Sequence, residues 1–220
     1  MTDYEHLLVI MRGRRSVRCF APDPVNREQI MRLLEAARWA PSNHNRQPWR
    51  FLVLEDTQQI GALADTISGS LAEKLKLLPA VAAAYIDGFV HDATFFAQAP
   101  VLIVALHKRP ASVSAALLKG MDNPALVSGE PLSVAMSVQN LVMAAHALGL
   151  GTCVLTGPLL ARDLVAGALK LPAGHDITCL VALGHPAEIP PPPRRKSLEQ
   201  IVEFSSDAER PAAGQAGNTP

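Results

Sequence analysis

Three guanidinium groups and a hydroxyl crowd into five residues, Arg14-Arg15-Ser16-Val17-Arg18. In an extended segment Arg14, Ser16 and Arg18 project to one side. That set suits an anion, because a guanidinium offers a bidentate fork to phosphate and a serine hydroxyl adds a donor. The competing reading is a solvated basic turn. A second cluster, Arg194-Arg195-Lys196, follows the stiff run Pro190–Pro193, which narrows the directions from which these cations approach a ligand. Its competing reading is a docking tail for an aromatic groove on another protein.

Between the two clusters, Pro41-Ser42-Asn43-His44-Asn45-Arg46-Gln47-Pro48-Trp49 gathers amide and hydroxyl side chains. Each amide carries a donor and an acceptor, as reading the edge of a heterocycle requires. An internally bonded Asx-type turn would use the same residues. Gly149-Leu150-Gly151 follows a helical stretch and precedes a strand, the reverse of the dinucleotide fingerprint, and the third glycine is missing, so a Rossmann site is excluded. Leu155-Thr156-Gly157, ahead of a proline-started helix, supplies backbone N–H groups to an electron-rich atom. There is no nucleophile elbow and no Walker-type loop. Cys19, Cys153 and Cys179 form no close pair and the histidines lack metal-type spacing, so neither a disulfide framework nor a metal site is expected.

These segments need elements to position them. Residues 4–11 read as a short helix. Asn26 caps a helix running to about Trp39, and Pro41 ends it. Residues 49–54 alternate as a strand. Asp56 caps a helix to about Leu78, and Val81–Phe96 is rich in small residues and aromatics. Pro100–Leu106 is a buried strand, 107–129 an excursion or lid, and Pro131–Leu148 a long apolar helix that Gly149 stops. Thr152–Leu155 is a short strand, Pro158 opens a helix to Lys170, and Ile177–Leu183 is a further strand. The helix Pro131–Leu148 is apolar nearly all round and so must be buried, which fits a subunit interface.

The chain has 220 residues, 49% hydrophobic and 18% charged, enough for a substantial core in a single domain over 1–205; residues 206–220 read as a disordered tail. Twenty basic and 20 acidic residues cancel, which argues against a general nucleic-acid surface. The N-terminus lacks a signal-peptide pattern, and the longest apolar run, Ala99–Leu106, falls far short of the ~20 residues that span a bilayer. A soluble cytoplasmic protein that binds no membrane is expected.

Taken together and in this order, the segments resemble the nitroreductase family of FMN-dependent oxidoreductases. The matching stretches are Arg14–Arg18, Ala40-Pro41-Ser42 with Gln47-Pro48-Trp49-Arg50-Phe51, Gly149-Leu150-Gly151 with Thr156-Gly157-Pro158, and Arg195-Lys196-Ser197-Leu198, over about residues 8–204. The resemblance implies an α+β fold with a central, mostly antiparallel sheet flanked by helices. It also implies an intertwined homodimer with FMN at the subunit interface. Carried over by position, Arg14, Arg15 and Ser16 would hold the phosphate, joined by Arg195. Arg18 would lie near the pyrimidine edge. Ser42, Asn43, Asn45 and Gln47, from this or the partner subunit, would line the site. Leu155, Thr156 and Gly157 would sit near N5 of the flavin, and Trp49 would pack. The implied activity is hydride transfer from NADH or NADPH through flavin N5 to a nitroaromatic, quinone or activated alkene by ping-pong turnover. A flavin-binding or flavin-sequestering protein without turnover would use the same contacts. The family's benzimidazole-forming branch carries an acidic residue where Ser16 stands here. The acidic-aromatic-basic lid signature of its iodotyrosine-dehalogenating branch is not found in 107–129. Neither activity is expected.

Overall fold

The computed structural model describes residues 1–77, 83–109, 119 and 129–205. Most of the expected excursion at 107–129 and the whole tail 206–220 lie outside the described residues. The chain divides into a unit Met1–Pro190 and a second unit that begins at Pro191.

Side-chain caps set the helix starts. Thr2 and Glu5 form a capping box on α1 (Asp3–Gly13), and Asn26 and Gln29 form another on α2 (Arg27–Arg38). Asp56 accepts from the N–H groups of Gln58 and Gln59 at the head of α3 (Thr57–Leu75). Helix α4 spans Ala83–Thr94 and runs into a 3₁₀ turn, Phe95–Gln98. Helix α5 (Gly129–Ala147) ends where Gly149 takes φ +75° and the Leu150 N–H donates to Ala145 O at 2.8 Å. That left-handed stop favours glycine. The expected helix from Pro158 to Lys170 is instead a 3₁₀ turn, Gly157–Ala161, followed by α6 (Arg162–Ala168). The break falls at Ala161, whose φ −110° and ψ 27° leave the helical region.

Strands β1 (Trp49–Leu54), β2 (Val101–Lys108), β3 (Gly151–Leu155) and β4 (His175–Gly184) form one antiparallel sheet in the order β1-β2-β4-β3. With helices on both faces, β2 buries every residue from Val101 to Leu106 and so reads as a continuous apolar run. Leu102, Val104 and Leu106 pack with α3 residues Ile60, Leu63 and Ile67, while Val101, Ile103 and Ala105 pack with Leu33 of α2 and Leu141 of α5. The expected α+β architecture is therefore present. Helix α5 is buried on one side only: Leu132 and Met136, one turn apart, are 59% and 40% exposed, and α1 buries no residue at all. In the second unit, Ser197 and Gln200 form a capping box on a short 3₁₀ turn, Leu198–Gln200.

One contact locks the extended segment after α1 to the sheet. Val17 is buried, and its N–H donates to Thr152 O at 3.0 Å. A Cβ on Gly151 would come within 2.9 Å of Val17 Cβ and Cγ1. Gly151→Ala should therefore cost about 1–3 kcal/mol through overpacking, at roughly 2–4 °C of Tm per kcal/mol. Gly61→Ala in α3, where a Cβ meets nothing within 4 Å, should leave Tm unchanged or raised. Thermal unfolding followed by circular dichroism checks both.

Candidate functional site

Helix α1 ends at Gly13, and Arg14 (φ −59°, ψ 135°) turns the chain into an extended course. The Arg15 guanidinium folds back, donating through Nη1 to Arg12 O, Gly13 O and Arg14 O at 2.6, 3.1 and 2.9 Å. These carbonyls crown a helix end and lack intrahelical partners, so Arg15 acts as their cap. Its Nε is buried without a hydrogen-bond partner. Ser16 then bridges Thr152 in parallel register, which sets the segment beside β3.

The Cys153 thiol registers where the neighbouring groups point. Burial pushes its pKa up, while Arg18, the Ser16 hydroxyl and Arg14 pull it down and Asp92 pushes it up. Arg18 is exposed and its Cζ stands 5.8 Å from the Phe95 ring centroid. On the other flank, the ring of His146 lies against Gly13, and burial, then Arg14 and Arg15, lower its pKa, favouring neutral imidazole. A cavity of about 130 Å³ lies between Arg14, Arg15, His146, Gly149, Thr152 and Ile189.

At the other end of β3, Leu155 is buried, Thr156 is exposed, and Gly157 opens the 3₁₀ turn in which Pro158 follows. The N–H groups that head such a turn point outward for an acceptor. Helix α4 packs on this turn: a Cβ on Gly157 would stand 3.2 Å from Ala93 Cβ.

The loop Ser42–Gln47 holds three non-glycine residues at positive φ: His44 (50°), Asn45 (51°) and Gln47 (47°). Such conformations persist where surrounding bonds over-determine them. Here Ser42 Oγ accepts from the Gln47 N–H at 3.0 Å, Ser133 Oγ accepts from the Asn43 N–H at 3.2 Å, and Gln47 Nε2 donates to Asn45 Oδ1 at 3.2 Å. Arg46 pairs with the buried Glu130 at 3.3 Å. The loop is therefore both internally bonded and fastened to the start of α5.

These two groups occupy opposite corners of the sheet. The loop enters β1, whose Trp49 lies opposite His107, itself opposite Asp176 on β4. Ser16 sits beside Thr152, opposite Leu183 on β4. Asp176 to Leu183 is seven residues, about 23 Å of strand. Helix α5 gives the same answer. Gly129 abuts Asn43 and His146 abuts Gly13, 17 residues apart, or about 26 Å of helix. Arg195 lies in the second unit, exposed, with Nη1 donating to Arg194 O at 3.4 Å.

The sequence singled out the cations, the amide loop and the aromatic stretch that holds Asp92, Ala93 and Phe95, but not the contacts those residues make with Arg18 and Gly157, and it missed His146.

A model described as the nitroreductase family matches residues 11–185. A 5,6-dimethylbenzimidazole synthase of Rhodospirillum rubrum is 28% identical over 194 residues, 86% of this chain and 86% of that protein. An NADH dehydrogenase of Thermus thermophilus is 30% identical over 196 residues, 86% of this chain and 91% of that protein. The crystal structure of a BluB-like flavoprotein from Clostridium difficile is 26% identical with a TM-score of 0.80, covering 93% of this chain and 99% of that one. The resemblance carried by the four motifs is borne out over most of the chain: this protein belongs to the nitroreductase family.

Proposed function

We propose that this protein is a homodimeric FMN-dependent oxidoreductase that takes hydride from NADH or NADPH and delivers it to a small organic acceptor. A nitroaromatic, a quinone or an activated alkene fits the reading, entering the cavity once the nicotinamide has left. The observation that carries it is the Ser16–Thr152 bridge, which sets the Arg14–Arg18 segment beside the start of β3, with the Thr156–Gly157 turn beyond its other end. The donor set fits FMN: cations and a hydroxyl at one end for a phosphate, a cation and backbone N–H groups further along for a ring. The buried, unpartnered Arg15 Nε and the cavity beside Arg14 support the same fit.

When bound, FMN supplies a centre at N5 that accepts and donates hydride. The chain's own groups then divide the work. Arg14 and Ser16 would donate to the phosphate. Arg15 holds the helix end that presents them. Arg18, charged at any physiological pH, faces the N1–C2=O edge and stabilises the negative charge that gathers there on reduction. The N–H groups of Thr156 and Gly157 orient the ring at N5.

The separation of about 23–26 Å between the loop and the cations supports a two-chain site. Ser42, Asn43, Asn45 and Gln47 lie at the far corner from Arg14, and in this reading they line the flavin of a partner subunit. The exposed Leu132 and Met136 of α5, and the unburied α1, supply the apolar surface for such a pairing.

The similarity to a dimethylbenzimidazole synthase supports a second reading, in which the flavin is consumed rather than recycled. Ser16, in place of the acidic residue of that branch, weighs against it. One titration separates the readings. The protein reconstituted with FMN should bleach on anaerobic addition of NADH or NADPH and recover its full absorbance in air. Failure to bleach with either nicotinamide marks a binding protein without turnover, and irreversible loss of absorbance marks flavin consumption. Arg14→Ala should weaken FMN binding by about 1–3 kcal/mol, the range for a lost charge-assisted contact. Fluorescence quenching of FMN measures it, and equal affinity in mutant and wild type would make Arg14 a surface charge.

A further inference from the structure

A long, exposed arginine is a poor electrostatic tool unless something holds it, because its rotamers spread the charge over a wide volume. A carboxylate would hold it, but would also neutralise the charge and occupy the N–H fork. An aromatic face does neither: it attracts the cation through the ring quadrupole within about 6 Å and leaves the donors free. Arg18 has this arrangement. Its Cζ stands 5.8 Å from the Phe95 centroid. Among the described residues no carboxylate forms an ion pair with it.

We propose that Phe95 is the positioning residue for Arg18, and that by fixing this guanidinium over β3 it raises the reduction potential of the bound flavin. The proposal rests on the FMN reading above and names a determinant of that site which no sequence motif carries.

Phe95 is suited to the part. It is 5% exposed and opens the 3₁₀ turn after α4, with the fully buried Phe96 beside it in the core under the sheet. Two residues earlier, Ala93 packs on Gly157. One rigid element therefore sets both the cation for the pyrimidine edge and the turn for N5.

The test uses the full chain reconstituted with FMN, reading the midpoint potential by dye equilibration and the FMN dissociation constant by fluorescence. Phe95→Leu should lower the midpoint, with reduced FMN losing about threefold to tenfold more affinity than oxidised FMN, the weight of one cation–π contact. Phe95→Tyr should stay within about twofold of wild type, since it keeps the ring. Where Phe95→Leu does not fold, Phe95→Met serves in its place. In an Arg18→Gln background the same change should shift the midpoint no further. An unchanged midpoint in Phe95→Leu overturns the proposal. So does an equal shift in both backgrounds, which would mean Phe95 acts by packing alone. A wild-type protein that does not bind FMN would instead overturn the cofactor reading.

Discussion

The Val17 N–H donates to Thr152 O at 3.0 Å, and this bond decides where the cations go. It forces the chain leaving α1 to run beside β3 instead of out into solvent. Val17 can sit so close only because Gly151 has no Cβ. Once Val17 faces inward, alternation turns Ser16 and Arg18 the other way. Arg15 completes the device from the other side by bonding three carbonyls at the end of α1. A basic segment that would otherwise be a flexible surface run is thereby held between a helix end and a strand edge.

Helix α5 acts as a spacer. Its start is fastened to the amide loop through Ser133 and Glu130, and its end carries His146 against Gly13. Its length keeps the loop and the Arg14–Arg18 cluster apart. The left-handed residues of the loop, fixed by bonds to Ser42 and Ser133, make a rigid surface. Two copies with α5 faces apposed would resolve this, because each rigid loop would meet the other copy's cations. The apolar residues that α5 leaves exposed then have a physical purpose.

Local chemistry was legible in the sequence and long-range geometry was not. Asn26 and Asp56 cap the helices they were expected to cap, and Gly149 stops α5, because capping depends on residues three or four apart. The strands were legible as apolar runs. The helix after Pro158 was misread because its sequence pattern gives no sign of the break at Ala161. The capping role of Arg15 was also invisible. A run of three cations looks the same whether each arm reaches a ligand or folds back on the chain. Phe95 was hardest to find, since its role depends on Arg18, which lies 77 residues away in sequence.

The central proposal is that Arg14 and Ser16 grip the phosphate of one FMN. The most direct measurement compares dissociation constants for FMN and riboflavin, which differ only in that phosphate. With two or more charge-assisted contacts, FMN should bind at least about a hundredfold more tightly. Arg14→Ala should narrow the ratio without changing riboflavin affinity. Equal affinities for the two flavins in the wild-type protein would contradict the account.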